Sequence, residues 1–477
     1  MNPQDVLKRV CGALDLLIEA GEPHQGLFPS VLDPDTGAML AELPPAIPGQ
    51  RMGDRAFPGS NLIHDEATLA TMYALAAALG RPDYAQAADR YLKRFATHCT
   101  DTASGLFPWG EHAFWHLAED RVGNSYIDVA DPSRPAGDAI HDHLRQAPLW
   151  LWEKLWQFNP RCVERFGEGL NGHYIPGEPL EYIRHAPITR VGSVRRGDRS
   201  CDFPRHSGFY IFDWTCAWLK TGRPDFTEQI RKIMDYWWDK RLESGLLLTE
   251  SRGPVGDPRY PDYHLTISPS QTMGLTTSLW EAAPLLEPGQ PALAAEMRRR
   301  AACYTDGFLS APHDLARGIF VMHYNLDDGQ GMMHSNVWGS IYGGWPASYM
   351  GLFACCSYRH SGDERLLRWA LAVGEQYAAQ PLPAGLPAPA MDAGMALGLL
   401  ADLYDLTGEP RWLAAGAKLA DAILDAYFQR RLPSGAAGIG WYEGQMGPSF
   451  VLHGLARLAL LAEDRAACPL RADYTGR

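Results

Sequence analysis

The stretch AAALGRPDYAQAADRYLKRF, residues 76–95, decides how the chain is to be read. A run of helix-forming residues stops at Gly80, and Pro82 and Asp83 open a second apolar-periodic segment. Glycine takes the left-handed conformation that ends a helix, and proline or an acidic residue suits the first turn of the next one. The stretch therefore predicts two helices joined by a tight turn. The same phrase returns as AWLKTGRPDFTEQIRKIMDYWW (217–238), SYRHSGDERLLRWALAVGEQY (357–377) and LYDLTGEPRWLAAGAKLADAIL (403–424). A second phrase follows such helices: GLFPS at Gly26, GLFPW at Gly105, GLLLTE at Gly245 and GIFVMH at Gly318. These read as short extended connectors.

Gly26 to Gly105 and Gly245 to Gly318 are each one hairpin apart, and Gly105 to Gly245 spans two, which gives about six hairpins. Long, irregular units rich in Trp, Tyr and His argue for a closed ring over an open solenoid, whose units are shorter and whose ends carry polar caps. The predicted fold class is all-α, an (α/α)6 toroid in which residues 1–477 form one catalytic domain. A two-domain helical protein is the competing arrangement. Segments 44–61, 120–138 and 171–201 are rich in Gly, Pro, Arg and Asp and should be long rim loops that run over the surface or cover an opening.

Composition sets the outer limits. The 477 residues are 46% hydrophobic and 21% charged, enough apolar surface for a core. A net charge of -13 argues against nucleic acid or an anionic membrane as a general partner, although local arginines can still hold a small acidic ligand. Charged residues interrupt the N-terminal apolar positions, as Asp5, Lys8, Arg9 and Asp15, so that region reads as a first helix and not a signal peptide. No stretch approaches the length needed to cross a bilayer. Nine scattered cysteines, including adjacent Cys355 and Cys356, read as buried reduced thiols, and a cytoplasmic location is expected. Walker, dinucleotide-binding, G-x-S-x-G and paired C-x-x-C motifs do not occur, which excludes nucleotide and flavin cofactors of those types. Nothing here speaks to oligomeric state.

Three segments concentrate polar and aromatic residues: PWGEHAFWH (108–116), HDHLRQAPLWLWEKLW (141–156) and CDFPRHSGFYIFDW (201–214). Each falls beside a connector or a helix start, so all three are expected at one mouth of the ring. His112, His143 and His206, with Asp142 or Glu111, could supply nitrogen and oxygen ligands to a divalent metal such as Mn2+ or Zn2+. A second group lies later: Glu250 and Arg252, His264, His334 and Trp338, Tyr342, and Tyr442 with Glu443. Trp109, Trp115, Trp338, Trp345 and Trp441 are candidate sugar-stacking platforms.

The order Trp109-Gly110-x-His112, then the run His141 to Arg145, then Arg205-His206 beside an aromatic helix, resembles the metal-dependent pectate lyases of polysaccharide lyase family 2. That resemblance implies a helical barrel, a Mn2+-like ion on two histidines and a carboxylate, and an arginine acting as the base in exolytic β-elimination from a uronide. The chain departs from the pattern in two places. Either His143 or Asp142 occupies the position of the acidic ligand, and a segment with Tyr182, Arg184, His185 and Arg199 stands inserted before the Arg-His pair.

Removing a proton next to a uronate carboxylate requires that the growing charge be neutralised, by a metal or an arginine clamp. Guanidinium stays protonated in nearly all settings, so Arg205 is either a base pressed by a neighbouring cation or the clamp, with Tyr210, His206 or His143 in the proton-handling positions. Arg145, Arg184, Trp109 and Glu111 complete the expected substrate contacts. The expected activity is metal-assisted lyase action on acidic oligosaccharides. A glycoside hydrolase of glucuronidase type using Asp142, Glu250 or Glu443 is the alternative, followed by a histidine-based sugar epimerase and a non-catalytic carbohydrate binder.

Overall fold

The structure is a computed structural model describing residues 1–475 apart from 136, 178–179, 194–201, 251–265, 328, 330–331 and 341–344. Each Gly turn singled out in the sequence ends a helix: Gly80, Gly222, Gly362 and Gly408 sit at C-caps with φ between +65° and +71°. Prolines open the next helix at Pro82, Pro224 and Pro410, where the missing N–H costs nothing.

The chain begins with α1 (Pro3–Gly21). Six consecutive hairpins follow. They pair α2 (Leu62–Leu79) with α3 (Pro82–Arg94), α4 (Leu149–Phe158) with α5 (Pro160–Gly169), and α6 (Pro204–Thr221) with α7 (Pro224–Trp238). Then come α8 (Pro269–Leu286) with α9 (Pro291–Ser310), α10 (Ala347–Ser361) with α11 (Glu364–Ala379), and α12 (Ala390–Thr407) with α13 (Pro410–Tyr427). Helix α14 (Pro448–Glu463) packs between α12 and α2 and against α1, so the two chain ends supply a further helix pair that closes the ring. The all-α toroid expected from the repeats is the observed architecture. Two hairpins lack the Gly phrase and turn instead at Asn159-Pro160 and at the Pro288–Gln290 segment before Pro291.

Inner and outer helices differ in pattern. In α12, Asp392 to Leu397 and Leu399 to Leu403 are all buried, as a helix enclosed on every side requires. Its neighbour α11 buries only Leu366, Trp369, Ala370, Val373, Gly374 and Tyr377, a single stripe at helical spacing. Among the described residues no helix is long and apolar enough to cross a membrane.

Inner helices α2, α6, α8, α10, α12 and α14 run the same way. At one end their first turns meet, with Arg205 of α6 donating to Tyr349 of α10 at 3.1 Å and Arg145 stacking 4.5 Å over Phe450 of α14. At the other end a buried charge knot joins the last turns. Asp402 accepts from Arg457 (2.8 Å), Arg359 (2.7 Å) and the Tyr474 hydroxyl of the C-terminal tail (2.6 Å). Burial opposes ionisation of Asp402, yet the two arginines hold its carboxyl below the usual carboxylate range. Asp402→Ala leaves buried Arg457 with only the half-buried Asp405 as a carboxylate partner and should cost about 3 kcal/mol, read as a lowered urea midpoint.

Candidate functional site

Three short antiparallel ladders bring distant segments together at the end where the inner helices start. Residues 113–116 lie between 59–60 and 121–124, with Ser60 opposite Trp115 and Ala113 opposite Asn124. Residues 140–141 pair with 186–187, His141 opposite Ala186, so Asp142 leaves its ladder beside His185. Gly110 (φ +93°) ties the two ladders: a Cβ there would stand 1.9 Å from the Asp142 carbonyl oxygen, so no side chain fits. The Glu111 N–H donates to Asp142 Oδ1 at 2.9 Å.

The outcome is a cluster of buried His112 and Asp142 with half-buried His185, whose donor atoms all lie within 4.8 Å of one another. Around it are Glu111 and Asp54. Arg184 Nη1 contacts Glu111 Oε2 (2.7 Å) and Asp142 Oδ2 (3.2 Å), and Arg51 bridges Glu111 (2.9 Å) and Asp54 (2.7 Å). The His112 ring nitrogens face the Gly53 carbonyl at 3.2 Å and the Tyr126 hydroxyl at 3.0 Å. Burial opposes ionisation of Glu111, but Arg184, His112 and Arg51 outweigh it and keep its carboxyl below the usual range. Asp54 is pushed up to about 7 by burial and by the Glu111 charge. Burial, then the charges of Arg184 and His112, hold His185 neutral far below its ordinary value.

The three segments rich in Gly, Pro, Arg and Asp each contribute. Segment 44–61 carries Arg51 and Asp54, 120–138 carries Tyr126, and 171–201 carries Arg184 and His185. Two imidazoles and a carboxylate form a donor set of intermediate hardness that fits a first-row divalent cation. His185 Nε2 is buried with no hydrogen-bond partner among the described residues, the condition of a nitrogen reserved for a ligand. His112, His185 and Asp142 would hold the ion: the Glu111 and Asp54 carboxylates are bound by arginines at 2.7–2.9 Å, whereas Arg184 stands further from Asp142, at 3.2 Å.

Several expectations are corrected. His143 is no ligand here: successive residues of extended chain point to opposite sides, so while Asp142 faces His112, His143 Nε2 pairs with Asp213 at 2.5 Å. His206 lies outside the cluster on the first turn of α6. The Arg-His pair beside the cluster is Arg184-His185, the segment that read as an insertion, and not Arg205-His206. The dipeptide occurs three times, at 184, 205 and 359, and sequence alone gave no reason to choose the first. Tyr210 is occupied structurally, its hydroxyl donating to the Arg184 carbonyl at 3.1 Å.

Trp109 is fully buried and cannot stack a sugar; its Nε1–H donates to His141 at 3.1 Å. Glu443 is clamped by Arg55 through both oxygens (2.6 and 2.7 Å), with Trp441 Nε1 at 2.9 Å, and has no oxygen left for acid/base work. Tyr442 is buried beside it. His334 is exposed on a short strand, Trp338 donates to the Gln380 carbonyl, and Glu250 is buried at the end of its connector. Arg252, His264 and Tyr342 lie outside the described residues. The residues missed were His185, Asp54, Arg51, Tyr126 and His64. His64 is buried on the first turn of α2 with neither ring nitrogen hydrogen-bonded among the described residues, and His206 is in the same condition. Arg205 stacks 4.5 Å over Trp345, which itself lies on Tyr349 at 5.0 Å.

Behind the cluster runs a chain of neutral rings. Trp109 can only donate, so His141 Nε2 accepts, His141 Nδ1–H donates to His173 Nε2 (2.9 Å), and His173 Nδ1–H donates to the Ile183 carbonyl (2.8 Å). Burial lowers His173 to about 3, whereas the unfolded imidazole titrates near its ordinary 6.5. Between those values the unfolded chain binds the extra proton, so the contribution is whole above 6.5 and is lost as pH falls towards 3. Melting temperatures measured from pH 7 to 4 should fall, and His173→Asn, though less stable at pH 7, should show a shallower decline.

Structures with a similar outline include a sugar epimerase from a ruminal bacterium, 13% identical, covering 80% of this chain and 88% of that one at a TM-score of 0.49. Cellobiose 2-epimerase from Bacillus thermoamylovorans is 9% identical over 95% of this chain and 99% of that one, TM-score 0.48. Unsaturated glucuronyl hydrolase from Bacillus sp. GL1 is 12% identical over 100% and 99%, TM-score 0.47. No curated protein matches by sequence. A family profile described as periplasmic pectate lyase matches residues 47–192, under a third of the chain, and that stretch contains Arg51, Asp54, His112, Asp142, Arg184 and His185.

Proposed function

We propose that the chain is a carbohydrate-processing enzyme, and specifically a metal-assisted lyase that cleaves uronate-containing oligosaccharides by β-elimination. The observation that carries this reading is the His112, Asp142 and His185 donor cluster with Arg184 held against it, at the end of the ring where inner helices begin. Helix N-termini carry partial positive charge, so that end favours an anionic sugar.

A bound divalent ion would supply charge neutralisation at the uronate carboxylate. The protein's own groups do the rest. Arg205, stacked on Trp345 on the first turn of α6, would meet a further carboxylate, while Arg145 is buried over Phe450 and adds positive charge from behind. Arg184, engaged with two carboxylates, stays protonated and acts as a clamp. The resemblance assigns proton removal to an arginine, but His206 is a neutral imidazole at this end that is not one of the metal donors: burial, then Arg205 and Arg184, hold it far below its ordinary value. Phe203 links the two, its ring 5.5 Å from the Arg184 guanidinium and 5.7 Å from the His206 ring. In this scheme His206 takes the C5 proton, the electron pair forms the C4–C5 double bond, and the C4–O bond breaks; the departing oxygen takes a proton from water, leaving as the hydroxyl of the neighbouring sugar, and the His206 proton then passes to the hydroxide so formed.

Incubation with oligouronides should generate the ultraviolet absorbance of a conjugated unsaturated uronate, and chelation should remove it. His185→Ala should weaken metal affinity by more than about 100-fold. New reducing ends without that absorbance would replace elimination by hydrolysis, and an isomeric product would replace it by epimerisation.

His206→Gln should lower kcat by about 10²–10⁴-fold with metal content unchanged. If His206→Gln is silent while Arg184→Lys is inactive and still loads metal, the base is Arg184.

A further inference from the structure

A second group of ligand-type side chains lies away from the chamber, on α8 and α10. Cys356 and His360 are four residues apart on α10 and so share one face of the helix, and Glu281 reaches them from α8. One donor atom from each lies within 4.8 Å of the others. We propose that Glu281, Cys356 and His360 form a second divalent-cation site, of the zinc class, near the C-terminal ends of these inner helices.

The donor chemistry supports that choice. A thiolate, an imidazole and a carboxylate together suit a borderline-soft ion and are poor company for Mg2+ or Ca2+. Tetrahedral bonds of about 2.0–2.3 Å would place the donors about 3.4–3.8 Å apart, within side-chain adjustment of the observed spacing. Glu281 is oriented from behind: Ser278 Oγ donates to Gln146 Oε1 at 2.7 Å, and Gln146 Nε2 donates to Glu281 Oε2 at 2.7 Å. Such outer support is what holds a metal ligand in one rotamer.

Access comes from two sides. His360 is exposed. Glu281, His360 and Gln146 also border a cavity of about 760 Å3 whose other walls include Trp150, Phe212 and Tyr474. Three protein ligands leave a fourth position for water or a small anion from that cavity. On binding, the Cys356 thiol proton passes to solvent as the sulfur–metal bond forms, and His360 and Glu281 donate lone pairs; nothing is oxidised or reduced.

Cobalt(II) is the probe, because thiolate ligation gives a near-ultraviolet charge-transfer absorption that histidine and carboxylate ligands do not. The His112, Asp142 and His185 cluster has no cysteine, so the signal is independent of the proposed lyase activity. Chelator-treated full-length protein titrated with Co2+ should develop the band, saturating at one equivalent for this site. Cys356→Ser should abolish it, Cys355→Ser should keep it, and Gln146→Ala should weaken binding about tenfold. His360→Ala, at an exposed position, should also remove or shift the band, and it serves if Cys356→Ser does not fold. Absence of the band from the wild type, or its survival unchanged in Cys356→Ser or His360→Ala, overturns the proposal.

Discussion

The Asp142 carbonyl lies where any side chain at residue 110 would have to be. That backbone contact, with the Glu111 N–H on Asp142 Oδ1, presses the 113–116 ladder onto the 140–141 ladder. The register of 140–141 against 186–187 then delivers His185 to Asp142. Three segments far apart in sequence converge because main-chain geometry leaves them no alternative. The charges follow from the convergence: two arginines meet three buried acids, and His185 is held neutral by burial and by the neighbouring positive charges.

The cluster depends on a supporting layer that does no chemistry itself. Trp109, unable to accept a hydrogen bond, sets the tautomers of His141 and His173 and so directs a donor at the Ile183 carbonyl, while Tyr210 holds the next carbonyl, that of Arg184. Buried polar chains of this kind are stable only when every member is satisfied, which makes them stiff. Stiffness is what a short two-residue strand such as 186–187 lacks on its own.

The ring divides its labour between its ends. Where inner helices start, Arg205 on the Trp345 ring and two buried histidines, His64 and His206, without hydrogen bonds among the described residues lie at helix N-termini, which lend positive potential. Where they finish, Asp402 ties α10, α12, α14 and the C-terminal tail into one knot. Strength at one end permits unsatisfied groups at the other, the usual association of local cost with function.

Four of the hairpins were legible because each is a local event: Gly80, Gly222, Gly362 and Gly408 needed a left-handed cap, and Pro82, Pro224 and Pro410, or Asp363 as a cap, suited the start of the next helix. The site was legible only in part. Glu111, His112 and Asp142 stood out as polar residues beside a connector and a helix start, and Arg184 as a basic residue in a long loop. That Asp142 and not its neighbour His143 faces the cluster depends on which way an extended chain is turned. That His185 and not His206 joins it depends on a strand register between residues 45 and 47 apart. Spacing in sequence records neither, because a one-residue change of register reverses every side chain, and only packing of the whole ring selects between the two.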